Sequence, residues 1–250
     1  MSIHGKNIPQ FYITPPQPCP YINGQFERKI FTHLIGDSAR ELNDSLSQGG
    51  FRRSQNIAYR PACEDCNACT SVRVIVDEFQ ATKSFKRILK KNTDILAEMK
   101  NPTPTPENYS IFRDYIDQRH KAGGMTDMTV LDFAAMVEDT FVNTRLIEYR
   151  LKPDTHLEYA NPEKGELVAA ALSDIMEDGL SMIYSFFDPK YDERSLGTYM
   201  VLDHIERARK MGLPFLYLGY WVQGSSKMNY KSRFTPQERL ETTGWHRNQV

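Results

Sequence analysis

The sequence predicts an α+β fold, with a smaller N-terminal cysteine-containing domain and a larger C-terminal one. Three observations lead there. Beyond residue 106 the chain reads as helices, then a meander of strands, then one strand–helix–strand unit. The stretch Asn101-Pro102-Thr103-Pro104-Thr105-Pro106 is the clearest linker and divides residues 1–100 from 106–250. The 250 residues are 40% hydrophobic and 25% charged, enough for one large domain or two small ones around a real core.

Taken in order, residues 9–20 are proline-rich and extended, which brings Cys19 into place. A capping-box pattern at Ser38-Ala39-Arg40-Glu41 and the pair Gly49-Gly50 bracket a short helix. Phe51-Arg52-Arg53 and Ser71–Val76 read as strands on either side of a cysteine loop. From Phe79 to Lys100 the chain is basic, with Phe85, Ile88, Leu89, Ile95, Leu96 and Met99 at roughly helical spacing. Thr105 as N-cap and Pro106 in the first turn start a helix that Gly123-Gly124 ends, and a second spans 130–139. Strands over 144–151 and 166–175 enclose a polar insert, 152–165, and a third strand covers 179–187. A helix over 199–211 carries Val201, Leu202, Ile205 and Ala208 on one face, and the uncharged strand 215–222 is expected at the centre of the sheet.

Charge excludes some functions. Thirty-one Lys and Arg against 32 Asp and Glu leave −1, which rules out coating nucleic acid by bulk charge and rules out a disordered acidic tail. The average hides net-positive blocks at 51–100 and 201–250 around a net-negative middle, which form either one positive groove or separate solvated faces. No apolar run approaches the ~20 residues that span a bilayer. The first 25 residues lack a charged start followed by an apolar stretch. A soluble cytoplasmic protein with no membrane partner is the expectation.

Cys63, Cys66 and Cys69 stand as C-x-x-C-x-x-C, with Cys19 at a distance. Three thiols within seven residues are too crowded for a disulfide framework. With Cys19 as fourth ligand they suit tetrahedral zinc or an iron–sulfur cluster. Redox-active thiols and inert small residues stay open as alternatives.

Other segments bear chemistry. Phe187-Asp188-Pro189 through Arg194-Ser195-Leu196-Gly197-Thr198-Tyr199 follows a strand and opens a helix, where backbone N–H groups receive a phosphate or a developing oxyanion. This junction is similar to the coenzyme A loop of GNAT-fold acetyltransferases, except that bulky Tyr199 stands where a small residue lets the pyrophosphate approach. Tyr217, Tyr220, Trp221, Lys227, Tyr230, Lys231, Arg233 and Phe234 interleave rings with cations, the pattern that grips unpaired RNA ends; a core strand followed by a basic loop reads the same way. Asp174 stands in an otherwise apolar strand, where an unpaired carboxylate is costly. His33, His120, His156, His204 and His246 show no ligand spacing and read as surface or capping residues.

Together these segments resemble one family. Cys19-Pro20-Tyr21, Glu27-Arg28-Lys29, Phe31-Thr32-His33-Leu34, Gly50-Phe51-Arg52-Arg53-Ser54 and Tyr59-Arg60-Pro61 with the cysteine triplet resemble the N-terminal domain of arginyl-tRNA–protein transferases. Ser173-Asp174-Ile175, Tyr184-Ser185-Phe186-Phe187-Asp188-Pro189, Ser195-Leu196-Gly197-Thr198-Tyr199 and Lys227-Met228-Asn229-Tyr230-Lys231 resemble their C-terminal domain. Length and cysteine arrangement are similar to the bacterial branch, which transfers leucine to N-terminal aspartate or glutamate.

The resemblance implies a GNAT-like aminoacyltransferase fold that takes leucine from leucyl-tRNA and marks proteins with N-terminal Asp or Glu for N-degron degradation. No cofactor is required for the transfer itself; zinc or an iron–sulfur cluster on Cys19, Cys63, Cys66 and Cys69 is the expected extra group. Asp174 is expected to bind the substrate α-amine and assist its proton loss, and the backbone of Gly197 and Thr198 to hold the oxyanion. Arg52, Arg53, Arg60, Lys227 and Arg233 are candidates for the acidic side chain, because Arg matches a carboxylate bidentately. Tyr59, Tyr184 and Tyr230 orient the groups, while Trp221, Lys227, Tyr230, Lys231 and Arg233 line the surface for the RNA end. Three alternatives remain: arginyl-tRNA as donor, an acyl-CoA-dependent N-acetyltransferase on the same fold, and a non-catalytic metal-containing RNA-binding module.

Overall fold

The structure, a computed structural model, describes residues 8–119, 126–153 and 165–248. The N-terminal strands are β1 (Phe11–Ile13), β2 (Gln17–Pro18), β3 (Phe26–Glu27) and β4 (Lys29–His33). Helix α1 (Ala39–Gln48) follows, then β5 (Arg52–Ser54) and β6 (Ile57–Pro61). β1, β4, β6 and β5 form a small antiparallel sheet in that order, and β2 and β3 a two-stranded ribbon. Leu34, Ala39 and Ala58 are the buried centre between this sheet and α1.

Next come β7 (Cys69–Ile75), α2 (Lys83–Lys91), β8 (Ile95–Lys100), α3 (Pro106–Arg119), α4 (Val130–Glu138), β9 (Thr144–Leu151), β10 (Leu167–Ile175) and β11 (Gly179–Phe187). The chain finishes with α5 (Leu196–Lys210), β12 (Phe215–Val222), β13 (Gln237–Glu241) and β14 (Gly244–Arg247). Eight strands make one sheet in the order β14-β13-β7-β12-β11-β10-β9-β8. Every pair is antiparallel except β11 with β12, which α5 joins by a crossover. The α+β class and the central place of strand 215–222 are therefore as expected.

Alternation along β10 explains its unbroken apolar run. Ala169 and Ala171 enter a core shared with Phe85 of α2 and Val201, Leu202 and Ile205 of α5. Ala170 and Leu172 enter a second core with Phe112 and Ile116 of α3 and Phe133 of α4. The strand is buried on both faces, so no polar alternation survives in its sequence.

Two expectations are corrected, and one feature of the sheet bears on the linker. Residues 79–100 are not one helical segment. Thr82 Oγ1 accepts the Phe85 N–H at 3.3 Å to start α2, the backbone turns at Asn92, and Ile95–Lys100 pairs with β9. Helix α5 begins at Leu196 rather than Tyr199, because Ser195 takes a left-handed φ of 55° and its carbonyl accepts both the Thr198 and Tyr199 N–H groups. The linker at 101–106 does not separate two sheets, since β7 and β8 from before it lie in the same sheet as β9 to β14. Thr105 does cap α3, accepting the Asn108 N–H at 3.1 Å. The expected stop at Gly123-Gly124 and residues 154–164 of the polar insert lie outside the described residues.

Candidate functional site

The parallel ladder between β11 and β12 pairs only Gly179 with Phe215, Leu180 with Leu216 and Ser181 with Tyr217. Each strand then bulges: Ile183 is the extra residue of β11 against β10, and Leu218 that of β12 against β7. Beyond Ser181 and Tyr217 the two strands part into a slot. Backbone carbonyls along parted strands need other donors, and two cations supply them. Arg52 of β5 reaches across and donates Nη2 to Met182 O at 2.8 Å and Ile183 O at 3.3 Å. From the other side, Lys231 donates Nζ to Tyr220 O at 2.7 Å.

Gly219 makes the approach of Arg52 possible. Its φ is +76°, and a Cβ there would overlap the Arg52 guanidinium, so both backbone conformation and space require glycine. Lys231 lies in a 3₁₀ turn over Asn229–Arg233, held by Gln237 Nε2, which donates to Lys231 O at 3.0 Å and to Phe234 O, just after the turn, at 3.1 Å. Lys231 is 7% exposed. Burial first, and then the Arg52 guanidinium, push its ammonium down to about 7. Tyr230, whose ring lies 5.9 Å from Nζ, is its 43% exposed neighbour.

Polar atoms without protein partners flank the same slot. Arg52 Nη1 and Tyr184 Oη, just after the β11 bulge, are both buried and unbonded. Burial also pushes the Tyr184 hydroxyl well above its ordinary range. Buried donors with no partner are uncommon in native folds, and two around one slot point to a ligand.

A row of rings leads to the slot from the small sheet. Tyr12 stacks on Phe31 at 5.5 Å, and His33 stands edge-on to both at 5.9 and 6.0 Å. Phe31 is paired across the sheet with Tyr59, and Tyr59 lies 6.4 Å from Tyr220. The Tyr220 hydroxyl donates to Gly50 O at 2.8 Å and Tyr59 O at 3.1 Å, locking β12 to the small sheet. Lys29 Nζ sits 5.6 Å over the Tyr59 ring and pairs with Glu27 at 2.7 Å.

The structure brings some expected site residues together and separates others. Arg52, Tyr59, Tyr184, Tyr230 and Lys231 surround the slot or its approach, whereas the Trp221 ring lies under the Arg239 guanidinium of β13, 4.0 Å away. Asp174 does not. It is 1% exposed, and its oxygens accept Arg53 Nε at 2.6 Å, Arg53 Nη2 at 2.8 Å and Thr144 Oγ1 at 2.7 Å. Both oxygens are buried and engaged, out of reach of an incoming amine, so the pair clamps β5 to β9 and β10. Thr198 donates its N–H back to Ser195 O at 3.0 Å, which spends one of the two expected oxyanion donors; Gly197 packs near Phe187. Arg60 donates to Gly49 O at 3.2 Å and lies over Phe51, Arg233 lies over Phe85, and Lys227 is exposed.

His204, expected at the surface, is fully buried: its Nε2 is 2.7 Å from Ser173 Oγ and its Nδ1 2.7 Å from Met200 O. His120 and His156 lie outside the described residues. Sequence reasoning passed over Gly219 and the carbonyl walls of Met182 and Ile183. A lone glycine inside an uncharged strand was the available signal, since it marks a bulge or a close approach.

All four cysteines are half-buried, free thiols. Cys19 leads into the turn between β2 and β3, Cys63 and Cys66 lie between β6 and β7, and Cys69 starts β7. They are neighbours: burial, then Cys19, Cys63 and Cys66, push the Cys69 thiol up to about 12. Four soft donors this close suit a thiophilic ion, yet among the described residues no three or more are set in metal-ligating geometry.

Comparison with known proteins covers almost the whole chain. The family described as "Arginine-tRNA-protein transferase, N terminus" matches residues 17–87, and "Arginine-tRNA-protein transferase, C terminus" matches 107–241. A protein of Afipia carboxidovorans named aspartate/glutamate leucyltransferase is 62% identical over 247 residues, 99% of this chain and 96% of that one. A protein of the same name from Mesorhizobium japonicum is 61% identical over 248 residues, 99% of this chain and 97% of that one. Among solved structures, FemX aligns with a TM-score of 0.48 at 11% identity, over 80% of this chain and 65% of that one.

Proposed function

The chain belongs to the arginine-tRNA–protein transferase family, and we infer that it takes leucine from leucyl-tRNA and joins it to the N-terminus of proteins beginning with Asp or Glu. One observation carries the reading: identity of about 60% with aspartate/glutamate leucyltransferases runs over nearly the full length of both chains. The relatives' name favours leucine over arginine as the donated residue. The new N-terminal leucine would mark the acceptor for N-degron degradation. A donor that is charged tRNA suits a cytoplasmic reaction in our reading, and among the described residues no helix is long and apolar enough to cross a membrane.

The chemistry is aminolysis of an ester. The α-amine attacks the leucyl carbonyl, a tetrahedral oxyanion forms, and the terminal adenosine's oxygen leaves with a proton. The ester is already reactive, so alignment supplies most of the acceleration. The amine, with a pKa of about 8, must first be neutral. In our reading the slot between β11 and β12 is where the two reactants meet, and the rings from Tyr12 to Tyr220 stack the unpaired bases of the tRNA end. Tyr184 Oη is a further candidate partner for the reacting groups. Zinc or an iron–sulfur cluster on Cys19, Cys63, Cys66 and Cys69 would tie the small domain to β7, and no step of the transfer needs it.

An acyl-CoA-dependent acetyltransferase is disfavoured by the same slot. Its wall carbonyls at Met182, Ile183 and Tyr220 already accept from Arg52 and Lys231. The deciding experiment supplies purified protein with labelled leucyl-tRNA, arginyl-tRNA or acetyl-CoA and peptides starting Asp, Glu, Lys or Ala. Leucine on the Asp and Glu peptides alone is expected. Arginine transfer, acetyl transfer, or tRNA binding without any transfer would each replace this reading by a different one.

A further inference from the structure

We propose that Arg52 and Lys231 together form the subsite for the side-chain carboxylate of the incoming N-terminal Asp or Glu. The assignment rests on the transferase reading above, keeps Arg52 alone of the five cations expected to meet the acidic side chain, and adds Lys231, expected on the surface for the RNA end. Arg53 is consumed by Asp174, Arg60 and Arg233 lie over rings elsewhere, and Lys227 is exposed. Among the described residues, Arg52 and Lys231 are the cations that bond the slot's wall carbonyls, one against each wall.

Their electrostatics call for an anion. Lys231 is almost fully buried, and the one charge that acts on it is another cation. The other groups around it, Tyr220, Tyr230 and the Gln237 amide, are uncharged, and among the described residues no carboxylate balances it. Two like charges in a buried slot without a counter-ion repel. Arg52 Nη1 adds a buried donor with no partner. A carboxylate between them satisfies Nη1, takes a second bond from the ammonium, and restores the Lys231 proton affinity that burial and Arg52 lower. A neutral side chain does none of this, so the slot selects for acid by leaving itself unsatisfied without it.

Lys231 in the free enzyme titrates near neutrality, so acid selection weakens as pH rises. The test compares kcat/KM for leucine transfer to peptides starting Asp and Asn, so that titration of the peptide amine cancels in the ratio. In the wild type the Asp/Asn ratio falls between about pH 6 and pH 8, because kcat/KM reports the free enzyme. Lys231→Arg keeps a high ratio that no longer varies with pH. Lys231→Met lowers the ratio about tenfold or more at pH 6, the size expected for one buried charge-assisted bond.

Two results overturn the assignment. An unchanged ratio in both variants places the acid subsite elsewhere, and equal losses on the Asp and Asn peptides mean that Lys231 serves the amine. Both leave the transferase reading standing. No leucine transfer by the wild type to any peptide removes that reading itself. Lys231→Arg, which preserves charge and approximate length, covers the case in which Lys231→Met does not fold.

Discussion

Arg53 and Asp174 are each nearly inaccessible and meet through two hydrogen bonds across 121 positions of sequence. A carboxylate in an apolar strand was legible as costly, but its partner was not, because β5 and β10 come together only when the small sheet docks. Removing one member of such a pair leaves an unpaired buried charge. Arg53→Ala should therefore lose about 3–5 kcal/mol of stability in urea denaturation. Asp174→Asn should lose stability too, while transfer per folded molecule stays near normal. A stable Asp174→Asn protein without transfer would return the carboxylate to the catalytic role that its sequence position suggested.

Among elements, α5 shows how packing overrides a local reading. Its one-face pattern of Val201, Leu202, Ile205 and Ala208 was visible in sequence, and those residues pack on the sheet. His204 on the same turn pattern looked like a surface residue. The α5 crossover instead lays it against Ser173 of β10, and burial holds its imidazole below the usual histidine value. In the unfolded chain the ring titrates near 6.5. Above that pH it is neutral in both states and costs nothing. Below it the unfolded chain binds a proton that the fold refuses, so stability falls as pH drops. Urea midpoints should decline from about pH 7.5 to 5.5 in the wild type and decline less in His204→Gln. Equal slopes would show that other groups govern this range.

At the scale of the whole molecule, the two parts share one sheet. β7 and β8 are supplied from before the proline-rich linker, and Tyr220, Arg52 and the Arg53–Asp174 pair fasten the small sheet to the large one. The cysteines sit at this same seam, from the β2–β3 turn to the first residue of β7. If they hold zinc or an iron–sulfur cluster, the purified protein should carry the metal by elemental analysis. Cys63→Ser should then lose both the metal and several degrees of thermal stability. A metal-free wild type that transfers leucine at full rate would leave the thiols as packing residues.

The class of fold, most of the helices and strands, and the family were legible in the order of residues. Apolar periodicity, caps and turn residues act over a few positions, and the ordered motifs persist along the chain. Which cations face the slot and which are spent holding the sheets together became visible in the packed fold. Arg52 and Arg53 are adjacent in sequence yet point to opposite faces of β5, one toward the parted strands and one toward Asp174. That division depends on which surface each face of a short strand meets, and no local pattern of residues encodes it.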